Sequence, residues 1–245
     1  HTYGVFIGSI GTASDSIASV KQLIYDENKI SKNELLKAIK KDFKDEFSEI
    51  KQICLNSKKF GNDEDYVDNI TADIANKFAS FVNEQSKKLD VDIYPGIFNH
   101  LFHHTAYRVG ATPDGRSFGD PVGEHLSPTP GRAYKGPTAV INSACKINAS
   151  EQVFGSTFHL NIPMVVFKGI KSPQRIISNL NKSFCQKKGG VMTVNILDLE
   201  KLKDAQKNPD KYPDLIVRVW GFSYYFTKLS KEMQDHVITR AMCQC

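Results

Sequence analysis

A single glycine, Gly221, stands in the run RVWGFSYYF at residues 218–226, among Trp220, Phe222, Tyr224, Tyr225 and Phe226. A strand interior is weakened by a residue with no side chain to pack. One use of such a glycine is conformational, because a bend after a strand often needs a positive φ that only glycine adopts cheaply. The other use is chemical. Glycine has two Cα hydrogens and no Cβ. Loss of one hydrogen atom leaves a carbon radical that flattens and shares its electron between the amide nitrogen and the carbonyl, and a side chain would crowd that centre. Such a radical has to be kept from water and oxygen, which suits a buried tip walled by aromatic rings.

Other residues invite chemistry. NHLFHH supplies His100, His103 and His104 at offsets that one helix face could present to a metal, but the segment reads as irregular and has no acid or cysteine beside it. Ordinary surface or packing histidines are the plainer reading. MCQC ends the chain with Cys243 and Cys245, a soft-metal pair or two incidental terminal thiols. TPDGR, residues 112–116, reads as a turn with Pro113 at its second position. Gly8 and Gly11 lack a strand–glycine–helix context, and no phosphate-binding or dinucleotide fingerprint occurs. Asn161 and Pro163 end an expected strand, where they either face a barrel interior or simply pack and terminate it.

The 245 residues, 40% of them hydrophobic, suffice for one sizeable core or two small ones. The net charge of +5 is spread over pairs such as Lys40-Lys41 and Lys187-Lys188, so no nucleic-acid partner is expected. No run approaches the ~20 apolar residues of a membrane span, and no membrane partner is expected. No charged-then-apolar signal segment opens the chain, and a start on His1 rather than Met leads to the expectation of residues upstream. Cys54, Cys145, Cys185, Cys243 and Cys245 show no CxxC spacing; an odd, scattered set points to free thiols in a reducing, cytoplasmic compartment.

The first 90 residues read as helices. Ile17, Val20, Leu23 and Ile24 form a stripe with Ser14 or Ser16 as cap; Ser31 and Glu34 form a capping box, with Ile30 stapled on Leu35. Asn62 or Asp63 caps a long helix carrying Tyr66, Val67, Ile70, Ile74, Phe78 and Val82. Residues 90–137 hold six of the ten prolines and seven of the sixteen glycines, which predicts a long irregular and functional segment. From residue 138 strands and helices alternate: TAVIN and TFHLNIP as strands, PQRIISNLNKSFCQKK as a helix, VMTVNIL as a strand, LEKLKDAQK capped by Asp198, DLIVRVW as a strand buried on both faces, and a last helix capped by Ser230. That order predicts an α/β fold with a largely parallel sheet or barrel wall.

The stretch PDLIVRVWGFSYYFTKLSKEMQDHVITR closely resembles the C-terminal signature of glycyl radical enzymes, the pyruvate formate-lyase-like family, through Arg218, Val219, Gly221, Phe222, Phe226, Leu229, Ser230, Ile238 and Arg240. DSIASVKQLIYDENKIS, KFGNDEDYVD, GATPDGRSFGDP, LSPTPG, KGPTAVINS and DAQKNPDKYPDLIVRV look like family segments in family order, so the resemblance covers essentially the whole chain. It implies the C-terminal part of a large α/β barrel with a helical layer, divided into residues 1–126 of the pyruvate formate-lyase-like domain and 127–245 of the glycine radical domain. It implies that Gly221 is the radical glycine, with no bound cofactor. A separate S-adenosylmethionine enzyme with an iron–sulfur cluster would install the radical. A catalytic cysteine would then receive it, and none of the five here has the family's Gly-Cys-Val-Glu or Cys-Cys setting, so a partner chain or N-terminal part would supply it. The implied full enzyme is a homodimer acting on a small molecule in the dehydratase, lyase or decarboxylase branches. Trp220 replaces a residue that is usually small, and KKGGVMTVNIL lacks the His and Gln that often follow the glycine pair. A non-catalytic radical-donating spare part, or an inactive relative kept for assembly, stays open beside the enzyme.

Overall fold

The structure is a computed structural model that describes residues 2–99, 105–219 and 222–242, with side chains described as far as 239. In chain order the elements are β1 (Thr2–Ile7), α1 (Ile10–Val20), α2 (Lys32–Lys40), α3 (Ser48–Leu55), α4 (Asp65–Leu89), β2 (Asp92–Ile97), α5 (Gly136–Ala144), β3 (Thr157–Pro163), α6 (Pro173–Gln186), β4 (Val191–Leu197), α7 (Leu199–Lys207), β5 (Ile216–Val219), β6 (Phe222–Tyr225) and α8 (Lys231–Met242).

β1 pairs with β2 and β3 with β4, both in parallel. Parallel neighbours need a crossover, and here helices supply it: α1 to α4 for the first pair and α6 for the second. A bridge from Ile97 to Ser156 joins the two pairs, so that β1, β2, β3 and β4 follow one another as a parallel wall. Side chains alternate across a strand, and Phe158, Leu160 and Ile162 send theirs to the same side as Ile97. There they meet Val140, Ile141 and Ala144 of α5, Leu180 and Phe184 of α6, and Val67 and Ala75 of α4 in one core. A second core joins Leu35, Ala38, Phe43 and Cys54 under α2 and α3. A third encloses Leu202, Ala205, Val217, Val219, Phe226, Val237 and Ile238. Among the described residues β1 pairs with β2 alone and β4 with β3 alone, and Tyr3, Val5 and Phe6 of β1 are exposed.

Several expectations hold. The Ser31 hydroxyl accepts from the Glu34 N–H while the Glu34 carboxylate accepts from the Ser31 N–H, and Ile30 and Leu35 share a core. Asp198 accepts from Lys201 N–H, and Ser230 from Met233 N–H. Others are corrected. TAVIN lies in helix α5, not in a strand: Pro137 sits in its first turn, where a missing N–H costs nothing, and burial of Val140 and Ile141 overrides their β-branching. TYGVFI and DIYPGI are strands in regions read as helical and irregular. α1 begins at Ile10, so Ser14 and Ser16 lie inside it and donate back to the Ile10 and Thr12 carbonyls at 2.8 Å. The residue before α4 is Glu64. Asn62 instead joins two loops, donating to Lys59 and Arg132 carbonyls and accepting from Tyr134 N–H.

The irregular segment is held from within by the TPDGR turn. Gly115, at φ +89°, donates to the Thr112 carbonyl. The wholly buried Arg116 guanidinium donates to the carbonyls of Val109, Gly110, Ser117 and Asp120. Buried carbonyls in a loop need such donors.

Beside it lies a buried charged group of Asp15, Lys59 and Asp114. Asp15 accepts from Phe60 N–H at 2.7 Å, and the Lys59 ammonium donates to the carbonyls of Cys54 and Ser57. Burial, helped by the Asp114 charge, pushes the Asp15 carboxyl up to about 7. Burial also pushes the Lys59 ammonium down to about 8, so desolvation outweighs the attraction of the opposite charges. The fold therefore holds the Asp15 proton more tightly than the unfolded chain does, and the stability this confers fades as pH rises through the interval up to about 7. Urea unfolding from pH 4 to pH 8 is the measurement. Wild type loses stability over that range relative to Asp15→Asn; parallel pH profiles of the two proteins would show that Asp15 titrates normally.

Candidate functional site

Gly221 and Trp220 lie outside the described residues, so the site is built from what flanks them. β5 and β6 form an antiparallel pair in the register Ile216–Tyr225 to Val219–Phe222. A strand running back directly after the glycine was not expected; the sequence reading placed a loop there, leading to the helix capped by Ser230. Val217 and Val219 face the third core, and Phe226 anchors it with no exposure. The opposite face is uncovered. Ile216 is 58% exposed and its cross-strand partner Tyr225 50%, so β5 is not buried on both faces; Phe222, paired with Val219 on the other face, is 61% exposed as well, and the described residues do not build an aromatic enclosure. The apolar run misled because it fills both faces of a strand whose second face has no cover here.

The wall's other face is polar where it meets this lobe. On β3, His159 and Asn161 alternate with the core residues and are buried on the side away from α5 and α6. Asn195 of β4, in register with Asn161, donates its amide to the Asn161 side-chain oxygen at 2.8 Å. Residues 124–127 run alongside: Leu126 N–H donates to the Thr157 carbonyl, and His159 N–H to the Ser127 hydroxyl. This brings the Glu124 carboxylate 3.9 Å from His159 Nε2. From α8, which packs on β3, His236 Nε2 donates to Glu124 Oε1 at 2.5 Å. His125 stacks on Phe98 with ring centroids 4.5 Å apart and leans on His159 at 4.9 Å. All four titratable side chains are buried.

One donor atom from each of Glu124, His125 and His159 falls within 4.8 Å of the others, the composition of a divalent-metal site. The hydrogen bonding argues otherwise. Asn99 N–H donates to His125 Nδ1 at 2.9 Å, which puts the proton of the neutral ring on Nε2. A metal needs an unprotonated nitrogen, and this ring's is already engaged. The arrangement orients hydrogen bonds among three elements.

Asn161 and Pro163 are buried on β3, which ends at Pro163, as the reading of strand packing and termination had it. Glu124, His125, His159 and His236 were missed. The available signal was alternation in TFHLNIP, since a strand with polar residues buried on one face is facing something polar. His100, His103 and His104, and Cys243 and Cys245, lie outside the described residues. Cys54 is fully buried under α3, with its thiol pushed up to about 11 by burial; Cys145 packs against the helix-covered side, and Cys185 is exposed on α6. Gly8 does join a strand to a helix, β1 to α1, contrary to the sequence reading. The first turn of α1 borders a cavity of about 480 Å³ with Phe98, Asn99 and Val122. No helix among the described residues is long and apolar enough to cross a membrane.

Residues 1–105 match the family model described as pyruvate formate lyase-like, and residues 122–227 that described as glycine radical. Trans-4-hydroxy-L-proline dehydratase of Clostridioides difficile is 33% identical over 94% of this chain and 29% of the enzyme. Isethionate sulfite-lyase of Desulfovibrio desulfuricans is 31% identical over 94% and 28%. The structure of the Clostridioides difficile hydroxyproline dehydratase with its substrate bound superposes with a TM-score of 0.88 at 32% identity, covering 99% of this chain and 31% of that one. The glycerol-bound B12-independent glycerol dehydratase of Clostridium butyricum gives 0.86 at 36% identity, covering 96% and 30%. The chain therefore spans about three-tenths of the length of these relatives. Its parallel wall with helices on one side is a portion of their α/β barrel. Across both matched segments and the fold they build, the chain belongs to the glycyl radical enzyme family of dehydratases and lyases.

Proposed function

We propose that this chain is the radical-carrying, C-terminal portion of a glycyl radical lyase and that Gly221 stores the radical. The match to the glycine radical family, which runs through residue 221, carries the reading. A separate S-adenosylmethionine and iron–sulfur activating enzyme takes one hydrogen atom from the Gly221 Cα. The resulting radical takes the thiol hydrogen of a cysteine outside this chain, which restores the glycine and leaves a thiyl radical. The thiyl takes a hydrogen atom from substrate, the substrate radical expels its leaving group, and the product radical recovers the hydrogen. The cysteine is assigned elsewhere because none of the five has the family's sequence setting; Cys54 is buried in the second core, Cys145 is half-buried against the helix-covered core, and Cys185 is exposed on α6. Substrate is a small diol, amine, sulfonate or aryl acetate, the full enzyme is a cytoplasmic homodimer, and the polar inner face of β3 and β4 forms part of its pocket.

The exposure of Ile216, Phe222, Tyr224 and Tyr225 on the hairpin supports this division of labour. A carbon radical flanked by an open apolar surface is short-lived, so the remainder of the enzyme has to cover it. Trp220 favours the second reading, a relative whose bulky neighbour blocks activation and which is kept for assembly.

Two outcomes follow from the first reading. Purified alone and treated with an activating enzyme, the chain shows no lyase or decarboxylase turnover, and turnover appears once the cysteine-bearing portion is supplied; activity of the chain by itself would contradict the division. Exposed to air after anaerobic activation, the assembled protein is cut at residue 221 and releases a piece beginning near Phe222, read by mass spectrometry. Gly221→Ala abolishes the cut. An activated protein that stays whole in air supports the inactive-relative reading.

A further inference from the structure

The C-terminal lobe, residues 197–239, has a core of its own and meets the rest of the chain across a seam. The seam is thinly packed. A cavity of about 480 Å³ opens between Ala106, Tyr107 and Pro121 on one side and Met233, His236 and Thr239 of α8 on the other. Where apolar contact is interrupted, polar contacts that cross the gap bear more of the task of fixing orientation. The Glu124–His236 hydrogen bond crosses it, linking residues 112 positions apart at 3% and 6% exposure.

We propose that Glu124 is a positioning residue for the glycine-bearing hairpin. Its carboxylate holds His236, His236 holds α8, and α8 shares a core with β5 and with Phe226 at the end of β6. The chain of contacts thus runs from the inner face of β3, where Glu124 stands 3.9 Å from His159, to the two strands that flank residue 221. A hydrogen atom passes between carbon and sulfur only at close approach, so the seating of this hairpin has to be reproducible to a fraction of an ångström. A buried, charge-assisted bond between two otherwise separate cores is suited to that, being short, directional and costly to leave unmade. The importance for radical transfer rests on the function proposed above; the placement of the hairpin does not.

The test reads backbone amide exchange by mass spectrometry in the unactivated chain, comparing wild type with Glu124→Leu, His236→Leu, Glu124→Gln, His236→Gln and the double Leu variant. Loss of one buried hydrogen bond to a charged group is expected to speed exchange in residues 216–239 by about tenfold, while α4 and α6 keep their wild-type protection. The Gln variants retain an acceptor or a donor and stay near wild type. The double Leu variant exchanges no faster than either single one, because both remove the same bond. Should Glu124→Leu fail to fold, His236→Leu removes the same bond from the other side and carries the comparison. Unchanged exchange in the Leu variants, Gln variants as fast as Leu, or additive effects would each overturn the proposal. A wild-type protein that is never cut at residue 221 would sink the radical assignment and leave this result standing.

Discussion

A parallel strand pair has to be covered on both faces, and β3 with β4 is covered by carbon on only one. Phe158, Leu160 and Ile162 take the helix side, where α5 and α6 bury them. That leaves His159, Asn161 and Asn195 buried on the opposite face. Buried polar groups are tolerated only with partners. Asn195 pairs with Asn161 from the neighbouring strand, Glu124 of the irregular segment stands beside His159, and His236 of the last helix in turn pairs with Glu124. The requirement to satisfy one strand's polar face thus draws together the elements that shape the inner side of the barrel wall.

The same sidedness explains what the irregular segment is for. A loop of that length is costly unless its backbone groups find partners. Arg116 supplies donors to four carbonyls along it, and Thr12 accepts from Gly123 N–H at 2.8 Å. Held so, residues 107–135, which carry neither helix nor strand, deliver Glu124 and His125 to β3. The charged group of Asp15 and Lys59 braces the far end of the same segment, where the Asp15 carboxylate accepts from the Thr129 hydroxyl at 3.3 Å.

Local signals in the sequence were legible where a side chain acts on its own backbone. The Ser31–Glu34 box, the Asp198 and Ser230 caps, the Pro113 turn and the α6 helix could all be read directly. The misreadings arose where distant partners decide. Thr138-Ala139-Val140-Ile141-Asn142 looks like a strand until α6 and β3 are there to bury a helix face. TYGVFI reads with the helical first 90 residues, because its pairing partner DIYPGI lies some ninety positions later. The family was readable because its signature surrounds a glycine with a run of types that no packing rule requires. The Glu124–His159–His236 cluster was not, because its members lie far apart in sequence and each is unremarkable alone.

The hairpin that flanks residue 221 presents uncovered aromatic rings. The central claim is that the glycine between those strands is a hydrogen-atom site rather than a bend. Electron paramagnetic resonance tests it most directly. Combined with the cysteine-bearing portion proposed above and activated without oxygen, the protein should give a carbon-centred signal split by the one remaining Cα hydrogen. Growth on α-deuterated glycine should collapse the splitting. A silent spectrum, or a signal indifferent to glycine deuteration, would contradict the account.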